Sequence, residues 1–141
     1  MIDNNFPKKK LILLAHGSRD NNWCATFEAG LKEINSHLQE DACLAFMEMA
    51  SPSLEEVVAT QYSEGIRHFD ILPLFFAVGR HLRSDVPTQI ENLQKEYEGL
   101  QIHLLDAVGL QDVFWQTLGQ MISKEYVEKD SMNQAASGLQ G

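Results

Sequence analysis

Apolar and polar positions along the chain predict four strands, each followed by a helix. Apolar runs typical of buried strands occupy residues 11–15, 42–47, 69–76 and 101–105. Between and after them, apolar side chains recur at every third or fourth position in 21–40, 54–65, 85–99 and 110–129, as on one face of a helix. Four consecutive β-α units favour an α/β fold: a four-stranded parallel sheet of order 2-1-3-4 flanked by helices, a flavodoxin-like three-layer sandwich.

Residues that begin or interrupt elements refine these predictions. Ser53 starts a capping-box sequence, and Gly65 follows the helix it opens as a C′ glycine. Pro73 cannot donate to a strand ladder, so we expect a bulge or an unpaired donor position there. Asp85 is predicted as the N-cap of the third helix, with Pro87 in its first turn.

Composition indicates one domain, at residues 10–129, preceded by a polar extension (1–9) and followed by a flexible tail (130–141). The formal net charge of -9 argues against nucleic acid or an anionic membrane as a partner. No segment approaches the about 20 apolar residues of a membrane span. Cys24 and Cys43 do not form a metal-type pair, so we expect reduced thiols and a cytoplasmic protein.

Three predicted strands end near side chains that could bind a metal: His16, Glu48 and His81. These strands are neighbours in a 2-1-3-4 sheet, so the three residues would lie at one edge. Two imidazoles and a carboxylate suit divalent Fe, Co, Ni or Zn. His16 could instead be a hydrogen-bonded loop residue, and Glu48 a solvated carboxylate near a helix N-terminus. Structural or surface roles are expected for the remaining histidines, His37, His68 and His103.

Several segments together resemble a known family. They are AHGSRD at 15–20, FME at 46–48 with SPSL at 51–54, LPLFF at 72–76, and GRHLR at 79–83 with DVP at 85–87. In this order and spacing they resemble the small class II tetrapyrrole chelatases of the CbiX type, which comprise sirohydrochlorin cobaltochelatases and their ferrochelatase relatives.

The resemblance implies an ATP-independent insertion of Co²⁺ or Fe²⁺ into sirohydrochlorin, in cobalamin or siroheme biosynthesis. His16 and His81 match the family's metal-site histidines, and Glu48 matches its assisting carboxylate. Ni²⁺ would suit the same ligands, and no cofactor beyond the metal substrate is implied. The chain resembles the short members, which work as homodimers, and it contains no phosphate-binding loop of the ATPase type.

The substrate's carboxylates would need local cations on an acidic protein. Arg19, Arg80 and Arg83 lie beside the two histidines in the sequence, and together with Ser18 they are predicted to bind the substrate. Arg83 could instead pair with Asp85 or solvent. Arg80 departs from the family pattern, in which a small residue is common at this position.

Two other functions compete with the chelatase. One is a non-catalytic carrier or sensor that binds a metal or a tetrapyrrole at the same site. The other is a phosphohydrolase of the R-H-G type, which fits less well because Ala15 precedes His16 and the arginine follows the motif.

Overall fold

A computed structural model describes residues 8–128, with the side chain of His81 excepted. The strands are β1 (Lys9–Ala15), β2 (Cys43–Phe46), β3 (His68–Pro73) and β4 (Gln101–Leu104). The α-helices are α1 (Asn21–Asn35), α2 (Leu54–Ser63), α3 (Val86–Glu96) and α4 (Asp112–Ile122). Short π-helical turns occupy His81–Asp85 and Ser123–Val127, and a 3-10 turn occupies Val108–Leu110.

The strands form one parallel sheet in the order β2-β1-β3-β4, as predicted. The extension expected before β1 and the tail expected after α4 lie outside the described residues, apart from residues 8 and 9, and Lys9 already belongs to β1.

Two helices, α2 and α3, cover one face of the sheet, and α1 covers part of the other face. On one face, Ile12, Leu14 and Ile71 are fully buried against α2 and α3. Burial of each such side chain contributes about 1.5–3 kcal/mol relative to an exposed position. On the other face, Leu13 and Phe46 are buried under α1.

Helix α4 does not bury the apolar face that its sequence pattern predicts. None of its residues is buried, and Val113, Trp115 and Met121 are each about half exposed or more. Helix α4 therefore keeps these apolar side chains in contact with solvent.

Within residues 8–128, no helix combines the length and apolarity needed to cross a membrane.

Helix α1 ends at Asn35, five residues before its predicted end at residue 40. The Asn35 amide donates to the Ala42 carbonyl at 3.2 Å and accepts from the Ala42 N–H at 2.8 Å. These two bonds turn the chain from α1 into β2, which an uninterrupted helix would prevent.

Asp85 directly precedes α3, at the N-cap position predicted for it, but it does not cap the helix. Its backbone is helical (φ -75°, ψ -44°) and its side chain makes no cap hydrogen bond, because the π turn from His81 runs directly into α3. Pro87 does lie in the first turn of α3, as expected.

Pro73 is the last residue of β3, and pairing of β3 with β4 already ends at Ile71. The missing N–H of Pro73 therefore removes no bond from the sheet. Of the two alternatives expected, a bulge or an unpaired donor position, the structure shows the second.

Both cysteines are free, as expected. Burial raises the pKa of the Cys43 thiol above its ordinary value, so this thiol stays protonated at neutral pH.

We expect Asn35→Ala to lower the free energy of unfolding by about 1–3 kcal/mol, because both Ala42 backbone groups lose their partner. Asn92→Ala, at an exposed position of α3, serves as the control and should change it by less than about 0.5 kcal/mol. Urea denaturation measures both. Equal effects of the two substitutions would contradict this role of Asn35.

Candidate functional site

His16 follows the last residue of β1 at the carboxyl edge of the sheet, and its side chain is exposed. The β1–β3 register pairs Leu14 with Pro73, and its continuation places His16 opposite Phe75. The two rings stack with their centroids 3.9 Å apart and their planes 17° from parallel. An aromatic ring therefore holds this exposed imidazole.

Glu48 is brought to His16 by the backbone. Its N–H donates to the His16 carbonyl at 3.0 Å, and the Met47 N–H donates to the Ala15 carbonyl at 2.8 Å. Gly17 has a φ of +99°, and a Cβ atom built on it would lie 1.7 Å from the Glu48 carbonyl oxygen. Only glycine allows this approach. The Glu48 side chain itself is exposed and points away from the core.

His81 begins the π turn that follows β3, so its backbone lies in the loop expected from the sequence. Among residues whose side chains are described, no group of three His, Cys, Asp or Glu residues could hold a metal ion. The structure thus brings the backbones of His16 and Glu48 together, whereas their action with His81 as one ligand set remains a prediction.

The residues predicted to bind substrate lie around this edge. The Ser18 hydroxyl accepts from the Asp20 N–H at 3.0 Å, so it also shapes the turn into α1. Arg19, Arg80 and Arg83 are exposed. The ion pairs found among the described side chains include none of these three arginines, so their guanidinium groups are open to a ligand.

An apolar groove of about 980 Å³ extends from His16 along the sheet face that α4 leaves uncovered. No residue pattern predicts this groove, because the spacing of apolar residues in α4 does not specify where the helix packs. Its apolar lining comes from β1, β3, α1, α4 and the loops at the carboxyl edge: Leu11, Leu13, Phe27, Ile34, Leu38, Leu72, Leu74, Phe75, Phe76, Ala77, Val108 and Phe114.

The other histidines lie away from His16. His68 begins β3 at the opposite edge of the sheet. His103 lies 3.6 Å from the Asp70 carboxylate, which also pairs with Lys9 at 2.7 Å. His37 is exposed beyond the end of α1 and lies 3.4 Å from Glu33.

Known proteins resemble this chain in sequence and in fold. The CbiX family model matches residues 10–125. A sirohydrochlorin cobaltochelatase of Sulfurisphaera tokodaii is 30% identical over 104 residues, covering 72% of this chain and 81% of the relative. A sirohydrochlorin ferrochelatase of Priestia megaterium is 25% identical over 128 residues, covering 86% of this chain. The match covers only 47% of that ferrochelatase, so this chain spans about half its length.

Among solved structures, a Marinobacter aquaeolei protein described as a cobalamin (vitamin B12) biosynthesis CbiX protein superposes with a TM-score of 0.77. It is 37% identical, and the match covers 86% of this chain and 99% of that one.

Gly17→Ala should lower the free energy of unfolding by about 2–4 kcal/mol, because a Cβ would collide with the Glu48 carbonyl and separate the ends of β1 and β2. Gly65→Ala is a matched control, since Gly65 has the same φ of +99° but no atom within 4 Å of the added Cβ. Only the backbone strain of about 1 kcal/mol is expected there. Thermal unfolding distinguishes the two, and equal losses would show that the Glu48 contact is unimportant.

Proposed function

Because this chain belongs to the CbiX family, we propose that it is a sirohydrochlorin chelatase, which inserts Co²⁺ or Fe²⁺ into the macrocycle without ATP in cobalamin or siroheme biosynthesis. The observation that carries this function is the pairing of His16 with Glu48 at the carboxyl edge of β1 and β2, through the 3.0 Å backbone bond. The open ends of parallel strands are where α/β folds bind their ligands.

Metal insertion requires that the ion loses its water ligands and that two pyrrole N–H protons leave the macrocycle. A neutral His16 imidazole would bind the incoming ion through a ring nitrogen, with His81 as the second histidine ligand. As the ion moves to the macrocycle, the ring nitrogens that it leaves on His16 and His81 would each accept one of the two pyrrole protons. Glu48 would balance the charge of the ion or relay protons to solvent.

The apolar groove fits the ring of sirohydrochlorin, and the surrounding cations fit its carboxylates. An apolar wall beside His16 suits the face of a tetrapyrrole ring. Arg19, Arg80, Arg83 and the Ser18 hydroxyl would hold carboxylates at its rim by charge-assisted hydrogen bonds. No cofactor beyond the metal substrate is needed in this scheme.

A homodimer is part of the proposal. Val113, Met121 and Tyr126 present an apolar surface on α4 and the turn after it. This chain spans about half of the Priestia megaterium ferrochelatase, and a second copy would supply the missing half. Burying exposed apolar surface of this kind is what stabilises obligate interfaces.

We also place the protein in the cytoplasm, because a reducing compartment suits the free thiols of Cys24 and Cys43.

Sirohydrochlorin mixed with Co²⁺, Fe²⁺ or Ni²⁺ should change its absorption spectrum over many turnovers per protein. His16→Ala and His81→Ala should each lower kcat by about 10²–10⁴-fold, because a metal ligand and proton acceptor is lost. His37→Ala, remote from the site, should keep the wild-type rate. Wild-type rates in both site variants would refute the assignment, and stoichiometric binding without turnover would indicate a carrier instead.

The double variant Val113→Glu/Met121→Glu should be monomeric, because four buried charges would enter each symmetric interface. Analytical ultracentrifugation should show dissociation at least about 100-fold easier than in wild type. Thr88→Glu/Asn92→Glu adds the same charge to exposed positions of α3, which covers the opposite face of the sheet, and is the control. A monomeric wild-type protein, or an unchanged double variant, would rule out an interface at this surface.

A further inference from the structure

The stacking of His16 on Phe75 is the one described contact that orients the His16 ring. The centroids are 3.9 Å apart and the planes differ by 17°. Leaving aside the side chain of His81, no residue in 8–128 forms a hydrogen bond or ion pair with the imidazole. An exposed histidine without such contacts would otherwise rotate freely about both side-chain torsions.

Phe75 is itself immobilised. Its side chain is 4% exposed and belongs to the core beside Leu82 and Ala107. Its carbonyl accepts a hydrogen bond from the Gly109 N–H at 2.9 Å. A Cβ atom on Gly109 would lie 1.6 Å from the Phe76 carbonyl oxygen, so the two backbones are packed as closely as glycine allows. The aromatic surface under His16 is therefore part of the rigid core.

Stacking constrains an imidazole differently from a hydrogen bond. The nitrogen lone pair lies in the ring plane, so fixing the plane fixes the directions in which a metal can be bound. A metal-binding histidine usually donates its other N–H to a carboxylate or carbonyl, which orients the ring and strengthens metal binding by about 10–100-fold. Stacking orients the ring without this increase in metal affinity. Both ring nitrogens lie at the edge of the ring and remain available to a metal or a proton.

We propose that Phe75 is the positioning residue of His16: it orients the ring for the metal substrate while leaving the ligand weak enough to release the ion to the macrocycle. This inference rests on the proposed chelatase function. Phe75 touches His16 and acts on the reaction through it.

The test compares Phe75→Leu, Phe75→Tyr and the control Phe69→Leu. Phe69 is another buried phenylalanine of the same core, at the opposite end of β3 from His16. In the metal-free protein, proton NMR should show upfield ring-current shifts of the His16 ring protons in wild type and Phe75→Tyr, and their loss in Phe75→Leu. Phe75→Met replaces the leucine variant if that variant does not fold.

In cobalt insertion, Phe75→Leu should lower kcat about tenfold or more, because the ligand is misoriented. The KM for sirohydrochlorin should stay within about twofold, because leucine keeps an apolar side chain at this point of the groove lining. Its apparent Kd for Co²⁺ should rise about three- to tenfold, by loss of the stacking contact. Phe75→Tyr should restore kcat to within about threefold of wild type, and Phe69→Leu should keep it within about twofold.

An unchanged kcat in Phe75→Leu, or an equal loss in Phe69→Leu, would overturn the proposal while leaving the chelatase function intact. A wild-type protein without turnover would refute the chelatase function instead, and the ring-current measurement would still report whether Phe75 orients His16.

Discussion

The close approach of Gly17 to the Glu48 carbonyl is the constraint on which the candidate site depends. It lets the Glu48 N–H reach the His16 carbonyl, and so it joins the ends of β1 and β2 beyond their ladder. Gly109 has an equivalent role against Phe76 after β3. Because these contacts are made by the backbone, the side chains of His16 and Glu48 can be exposed to substrate and still be placed by the fold.

The strand order and the placement of His16 and Glu48 follow from the sequence, because apolar runs mark the strands and four β-α units restrict the topology. The stack of His16 on Phe75 does not follow from it. Which residues face each other across β1 and β3 depends on their register, and a shift by one residue would turn the opposed side chain to the other face. The sequence also does not show that Asp85 lacks a cap bond, because the π turn before α3 has no distinctive residue pattern.

Helices α1 and α4 show that the spacing of apolar residues predicts an apolar helix face but not whether that face is buried. Both have apolar residues spaced for one face, and in α1 that face covers Leu13 and Phe46. In α4 the same kind of face remains exposed, at Trp115 and Ile122 among others. Periodicity identifies a surface that prefers to leave water, but it does not specify whether the covering surface belongs to the same chain. The groove beside α4 exists because this chain alone does not fill that space.

The proposed reaction has two substrates of opposite charge, a divalent metal cation and an anionic macrocycle, and the charges of the protein affect them differently. A net charge of -9 attracts a divalent cation from solution and repels a macrocycle that carries many carboxylates. The exposed guanidinium groups of Arg19, Arg80 and Arg83 place positive charge at the carboxyl edge of the sheet. Since screening limits each charge to about 8–10 Å at physiological salt, these local cations would act, in the proposed function, on the last steps of macrocycle binding. The overall negative charge would favour the approach of the metal, so in the proposed function the two substrates would not compete for the same charges.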